Sequence, residues 1–212
     1  MSTIATPTVP RRTDARRNLD LLVRAADVEF RQHGADVSLE DIARRAGVGI
    51  GTLYRHFPTR DDLIARVLAD STAQLIARGG ELLRGSRPSD KLLRWIRELV
   101  VHVTTYRGLT AALANSFVGK TDTQLCQNCT SLHAAGAALL ARAQKAGEIR
   151  KDADVREIIL SAHAAAWIAE QTEDPSAVDR LLGILFDGLR VTRPTRRRAT
   201  TRGSRRVHRR RV

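Results

Sequence analysis

The sequence predicts an all-α protein, with an N-terminal three-helix unit built around a helix-turn-helix and a larger helical domain after it. Three observations carry that expectation. Aromatic residues make up only 4% of the 212 residues while alanine, leucine and arginine dominate, which favours helix over strand. Apolar residues recur at spacings of three and four, and valine and isoleucine are scattered rather than alternating. Each periodic run is also bounded by a cap or breaker, among them Ser38, Gly47, Pro58, Thr59, Gly108, Gly147 and Pro175. The length suits one large or two small domains with a proper core.

Residues 1–14 lack an apolar period and read as a flexible arm. Arg11, Arg12, Arg16 and Arg17 are either solvated or placed to touch phosphate or a minor groove. The first helix, at about 15–33, carries Leu22, Ala26 and Phe30 on one stripe and ends at Gly34. Ser38 and Asp41 have the spacing of a capping box, and Leu39, Ile42, Ala43 and Ala46 form one apolar helix face. Gly47 suits a left-handed stop, Val48 plugs the turn, and a short helix follows from about residue 50 to residue 57. Leu53 and Phe57 face its core, so Thr52, Tyr54, Arg55 and His56 point outward, and Pro58 ends it. Such a capped, short helix with a polar outer face is what a major groove accepts. Gly49 and Gly51 flank Ile50, which can offer DNA only an apolar contact.

The run from Ile42 to Val48, followed by Gly51-Thr52-Leu53-Tyr54-Arg55-His56-Phe57-Pro58, resembles the DNA-binding domain of the TetR family of bacterial transcriptional regulators. The resemblance covers roughly residues 18–68. It implies a helix-turn-helix domain at 15–68, a regulatory and dimerisation domain at 69–192, double-stranded DNA as partner and a homodimer. It also implies DNA contact at Thr52, Tyr54 and His56, with Arg60 gripping the DNA backbone; Ser38, Gly49, Ile50 and Arg55 are further candidates for DNA contact, the alternative being a solvated polar face. A polar N-cap is usual where Gly49-Ile50-Gly51 stands, and two glycines weaken that first turn by roughly 1 kcal/mol each.

Thr59 and Asp62 form a second capping box, opening a helix that reaches about residue 78, where Gly79-Gly80 reads as a breaker. Helical segments are expected at about 89–106, 108–117, 122–146, 154–172 and 175–191. Trp95, Leu99, His102, Tyr106, Leu113, Phe117, Leu132 and Trp167 are candidates to line an inducer pocket, the alternative being plain core. The few charges on these faces point to an apolar or aromatic small-molecule effector. Ile158, Ile159, Ala162, Ala166, Val178, Leu182, Leu185, Phe186 and Leu189 form wide apolar stripes that suggest a dimer interface in the form of a four-helix bundle.

Cys126, Cys129 and His133 share a helix face, but two thiols and one imidazole leave a tetrahedral metal site one ligand short. No cofactor is expected, and no nucleophile elbow, phosphate loop or paired-carboxylate arrangement marks an enzyme. No apolar run of 18 residues suggests a membrane span, and a cytoplasmic setting is the default. Ten arginines and no acid lie in residues 193–212, an expected disordered tail; the other 192 residues hold 26 basic against 23 acidic residues. The reading is a ligand-responsive regulator, most simply a repressor on a palindromic operator. Its alternatives are an architectural DNA-binding protein without a ligand and a thiol- or metal-responsive regulator.

Overall fold

Helix caps and glycine contacts account for most of the architecture. The computed structural model describes residues 12–106, 108, 109 and 124–191. The arm before residue 12, most of the expected 108–117 helix with Leu113 and Phe117, the Cys126 side chain and the arginine-rich tail lie outside the described residues. Among the described residues there are eight helices and no strand beyond one backbone bridge between Ile149 and Arg190.

Helices α1 (Arg12–His33), α2 (Leu39–Ala46) and α3 (Ile50–His56) pack around Leu22, Ala26, Phe30, Ile42 and Leu53, all buried. The Ser38 hydroxyl caps α2 by accepting from the Asp41 N–H at 3.2 Å. The expected capping box is closed on that side only, because Asp41 pairs its carboxylate with Arg44 one turn along. Gly47 adopts φ 69°, and its N–H and that of Val48 donate to Arg44 and Ala43, ending α2.

Helix α4 (Arg60–Leu82) starts with a complete capping box between Thr59 and Asp62. It runs 23 residues, a rod of roughly 34 Å, out of the three-helix unit and into the larger domain. Gly79 and Gly80 do not break it, contrary to the sequence expectation. A Cβ on Gly79 would lie 3.2 Å from both Trp95 Nε1 and Ala135 Cβ, so packing against the indole calls for glycine there. The helix ends three residues later, where Arg142 donates to the carbonyls of Leu83 and Gly85.

Helices α5 (Pro88–Val103), α6 (Gln124–Lys145), α7 (Val155–Thr172) and α8 (Ser176–Leu189) complete the fold. Trp95 sits at their centre, fully buried, with its indole N–H donating to the Leu75 carbonyl at 3.0 Å. Gly136 of α6 meets the other side of the ring; a Cβ there would lie 2.9 Å from Trp95 Cζ3. The N-terminus of α5 has no side-chain cap of its own, and the Glu148 carboxylate accepts from the Ser89 N–H at 2.8 Å instead.

Candidate DNA-binding surface and regulatory core

Helix α3 is held by its inner face alone. Leu53 is fully buried and Phe57, its C-cap, is nearly so. Tyr54, 47% exposed, and Arg55 stand on the outer face with Gly49 and Gly51, while Thr52 is half-buried. Among the described residues no atom lies within 4 Å of a Cβ added at Gly49 or Gly51, so their packing does not demand either glycine. Ser38 is half-buried and engaged in capping α2, with its hydroxyl donating to Glu40.

Three expected contact residues are placed differently. Ile50 packs partly against the core rather than standing free. His56 is half-buried, with Nε2 buried and lacking a hydrogen-bond partner among the described residues. Arg60 donates through Nη1 to the carbonyls of Ala35 and Val37 at 2.8 and 2.6 Å. It therefore ties the start of α4 to the loop before α2, a role invisible in sequence because its acceptors are backbone.

Sequence reasoning also missed Glu29. This buried carboxylate on α1 receives Arg45 of α2 at 2.9 Å and contacts His33 at 2.7 Å. Burial pushes its pKa up, but the bonds with His33 and Arg45 outweigh that and hold it below the usual glutamate value.

In the larger domain, Trp95, Leu99, His102, Tyr106 and Leu132 are buried as expected of a pocket lining or core. Trp167 is 49% exposed on α7 and belongs to neither. His102 lies 3.4 Å from the Thr72 hydroxyl of α4. Burial lowers the pKa of His102, and burial with the neighbouring His133 and His102 drives His163 down to about 4. Tyr106 reaches across to α1: its hydroxyl donates to Asp27 Oδ1 at 2.5 Å, and its ring meets Phe30 edge-on at 6.0 Å. Arg31 lies over the same ring at 5.1 Å and binds Asp27. Burial, followed by the bond to Asp27, raises the Tyr106 pKa.

The stripe expected to form the dimer interface faces inward. Ile158, Ile159, Ala162, Ala166, Leu182 and Phe186 are buried within the single chain, and Val178, Leu185 and Leu189 are partly buried against them. The α7–α8 hairpin covers its own widest apolar faces. What remains outside is a second apolar set: Leu160, Trp167, Ile168 and Ile184, the last 72% exposed. Cys129 is half-buried, and no group of three metal-ligating side chains occurs among the described residues. No described helix is long and apolar enough to cross a membrane.

Comparison with known proteins agrees with this geometry. Residues 22–67 match the DNA-binding domain of the bacterial regulatory proteins of the tetR family, and residues 87–191 match the C-terminal domain described as transcriptional regulator SbtR-like. A TetR transcriptional regulator from Streptomyces coelicolor is 33% identical, over 82% of this chain and 99% of that one, with a TM-score of 0.56. A TetR-family regulator from Agrobacterium tumefaciens shares the fold at 18% identity, covering 84% of this chain and all of that one, with a TM-score of 0.62. A helix-turn-helix transcriptional regulator from Staphylococcus aureus (strain USA300) is 38% identical over 58 residues, 27% of this chain and 31% of the relative's length.

The fold and its outward helix are those of helix-turn-helix transcriptional regulators. The chain belongs to the TetR family.

Proposed function

We propose that the chain is a dimeric, ligand-responsive repressor of the bacterial cytosol. In this reading it occupies a palindromic operator and leaves it when a small molecule with an apolar or aromatic body enters the regulatory domain. The observation that carries the reading is the outer face of α3. Tyr54 and Arg55 project from it, and the open sides of Gly49 and Gly51 let a phosphate backbone approach closely. In this reading Thr52 reads a base edge, Tyr54 and His56 contact phosphates, and Ser38 and Arg60 fix the frame that aims them.

The exposed apolar set on the α7–α8 hairpin supports dimerisation. Trp167 and Ile184 are large apolar side chains left exposed, and a two-fold partner would cover them in this reading. Repression would then follow from spacing: two copies of α3 must meet successive half-sites about 34–36 Å apart. A ligand that tilts α4 in each subunit spoils that distance.

Footprinting of the full chain on the DNA upstream of its own coding sequence tests the reading. A protected, two-fold symmetric site is expected. Uniform binding without a protected site would favour the architectural alternative.

A further inference from the structure

Helix α4 is the covalent link between the three-helix unit and the larger domain, and a single helix leaves that unit free to swing about it. A second link lies off the axis of α4, in the turn that follows α5. The Thr104 hydroxyl donates to the Val100 carbonyl at 2.8 Å at the end of α5, and the Leu109 N–H donates to the Tyr106 carbonyl at 3.1 Å. Gly108 holds φ 77° within this turn, a left-handed conformation that glycine takes at little cost. Its N–H donates to Glu170 Oε1 of α7 at 2.8 Å, and Leu109 is buried, so the turn is fixed to the regulatory domain.

From that base Tyr106 reaches α1. Its O–H donates to Asp27 at 2.5 Å, its oxygen accepts from Arg31 Nη2 at 3.4 Å, and its ring packs edge-on against Phe30. Asp27 and Arg31 stand one turn apart and pair with each other at 3.1 Å. A Cβ on Gly108 would stand 3.6 Å from Asp36 Oδ2, so the loop after α1 also lies against this turn. Rings in edge contact can slide, whereas a hydroxyl bonded to a carboxylate fixes a direction.

A protein that reads two half-sites must hold its two reading helices at one separation. One added base pair moves a half-site by about 3.4 Å and about a tenth of a turn. The residues of α3 do not set that separation; it follows from how firmly each three-helix unit is held on its regulatory domain. Resting on the dimeric operator reading above, we propose that the Tyr106 hydroxyl, bonded to Asp27 and Arg31, fixes this angle. Tyr106 is then a positioning residue that decides which half-site spacing the protein accepts, from a place in the regulatory domain.

Tyr106→Phe is the decisive variant, because it keeps the ring on Phe30 and under Arg31 and deletes only the hydroxyl. Affinity of the full chain is measured for its protected upstream site, for the same site with one base pair added or removed between half-sites, and for random DNA. The parent should prefer the natural spacing. In Tyr106→Phe that preference should shrink about tenfold, the worth of one hydrogen bond to a charged group, with random DNA bound as before. Asp27→Ala should shrink it similarly, and the double variant no further, since both remove the same bond. Should Tyr106→Phe not fold, Asp27→Ala carries the comparison. An unchanged spacing preference, a loss shared equally by all the DNAs, or additive effects of the two substitutions would overturn the proposal.

A measurement without DNA reads the same angle. Spin labels at Arg24→Cys on α1 and Lys145→Cys on α6, both exposed, are placed in a Cys126→Ser, Cys129→Ser chain diluted with unlabelled protein. The distance distribution from pulsed electron resonance should broaden in Tyr106→Phe, and an unchanged width would overturn the latch. If no two-fold site is protected, the repressor reading fails by itself, and the distance measurement still decides the latch.

Discussion

Tyr54 and Leu53 are chain neighbours with opposite surroundings, one half-exposed on the outer face of α3 and the other fully buried beneath it. Tyr54→Ala should cost about 1–3 kcal/mol of operator affinity and leave the melting temperature unchanged. Leu53→Ala should cost about 2–5 kcal/mol of stability, read by thermal or denaturant unfolding. Parent-like operator binding by Tyr54→Ala would mean that another face of α3 meets DNA. Gly136 offers a test of the opposite kind. A methyl there lies 2.9 Å from Trp95 and 3.1 Å from Val155 Cγ2, both in packed positions. Gly136→Ala should therefore destabilise by about 1–3 kcal/mol, despite replacing glycine by the best helix former. A gain in melting temperature would show that the indole can move aside.

Among the elements, the α7–α8 hairpin separates two consequences that the sequence could not. Its apolar positions are numerous enough to serve both a core and an interface, and periodicity alone does not say which stripe faces which way. The structure turns Leu182 inward and Ile184 outward. Ile184→Glu should yield a folded monomer by light scattering and circular dichroism, with cooperative operator binding lost. Leu182→Glu should unfold the protomer, since an unpaired buried charge costs several kcal/mol. A stable dimer carrying Ile184→Glu would move the interface to another surface. Elements with strong local punctuation were legible from sequence: Gly47 ends α2, and Thr59 with Asp62 opens α4, as the residue types demand. Gly79-Gly80 misled because a glycine kept for close packing looks the same as one kept for a turn. The outer face of α3 was legible because Leu53 and Phe57 fix its orientation. The roles of Arg60 and Glu29 were not, because the partners that tie them to other elements, Ala35, Val37 and Arg45, lie 16 to 25 residues away along the chain.

For the whole molecule, acid acts on the regulatory core before it acts on the tail. His102, His133 and His163 all have pKa values below the ordinary 6.5, chiefly through burial, and His163 lies at about 4. Arg156 lowers His133 further while Asp154 opposes it. Between pH 6.5 and 4 the unfolded chain therefore binds more protons than the folded one. The stabilisation is complete above pH 6.5 and is lost as pH falls toward 4, on the order of 3 kcal/mol for His163. Denaturant unfolding at pH 7.5, 6, 5 and 4.5 should show this decline, and His163→Leu should flatten it. A slope unchanged by that substitution would place the acid sensitivity elsewhere. The arginine-rich residues 193–212 are expected to respond to salt instead. Deleting them should lower affinity for operator and random DNA by similar factors and flatten the salt dependence, by about 0.9 in log–log slope per lost phosphate contact. Titrations at several salt concentrations decide this, and a loss confined to the operator would mean that the tail reads sequence.

The chain has only two tryptophans, and the structure puts them in opposite places: Trp95 enclosed between Gly79 and Gly136, Trp167 open to solvent on α7. The protein therefore carries two built-in optical reporters with separate assignments. Emission from Trp95 belongs at the short-wavelength end and should shift red only when the regulatory core opens. Emission from Trp167 belongs at the long-wavelength end and should shift blue as protein concentration rises and a second subunit covers it. In Trp167→Phe the remaining signal follows the core alone, so unfolding and assembly can be watched in the same cuvette without attaching a dye.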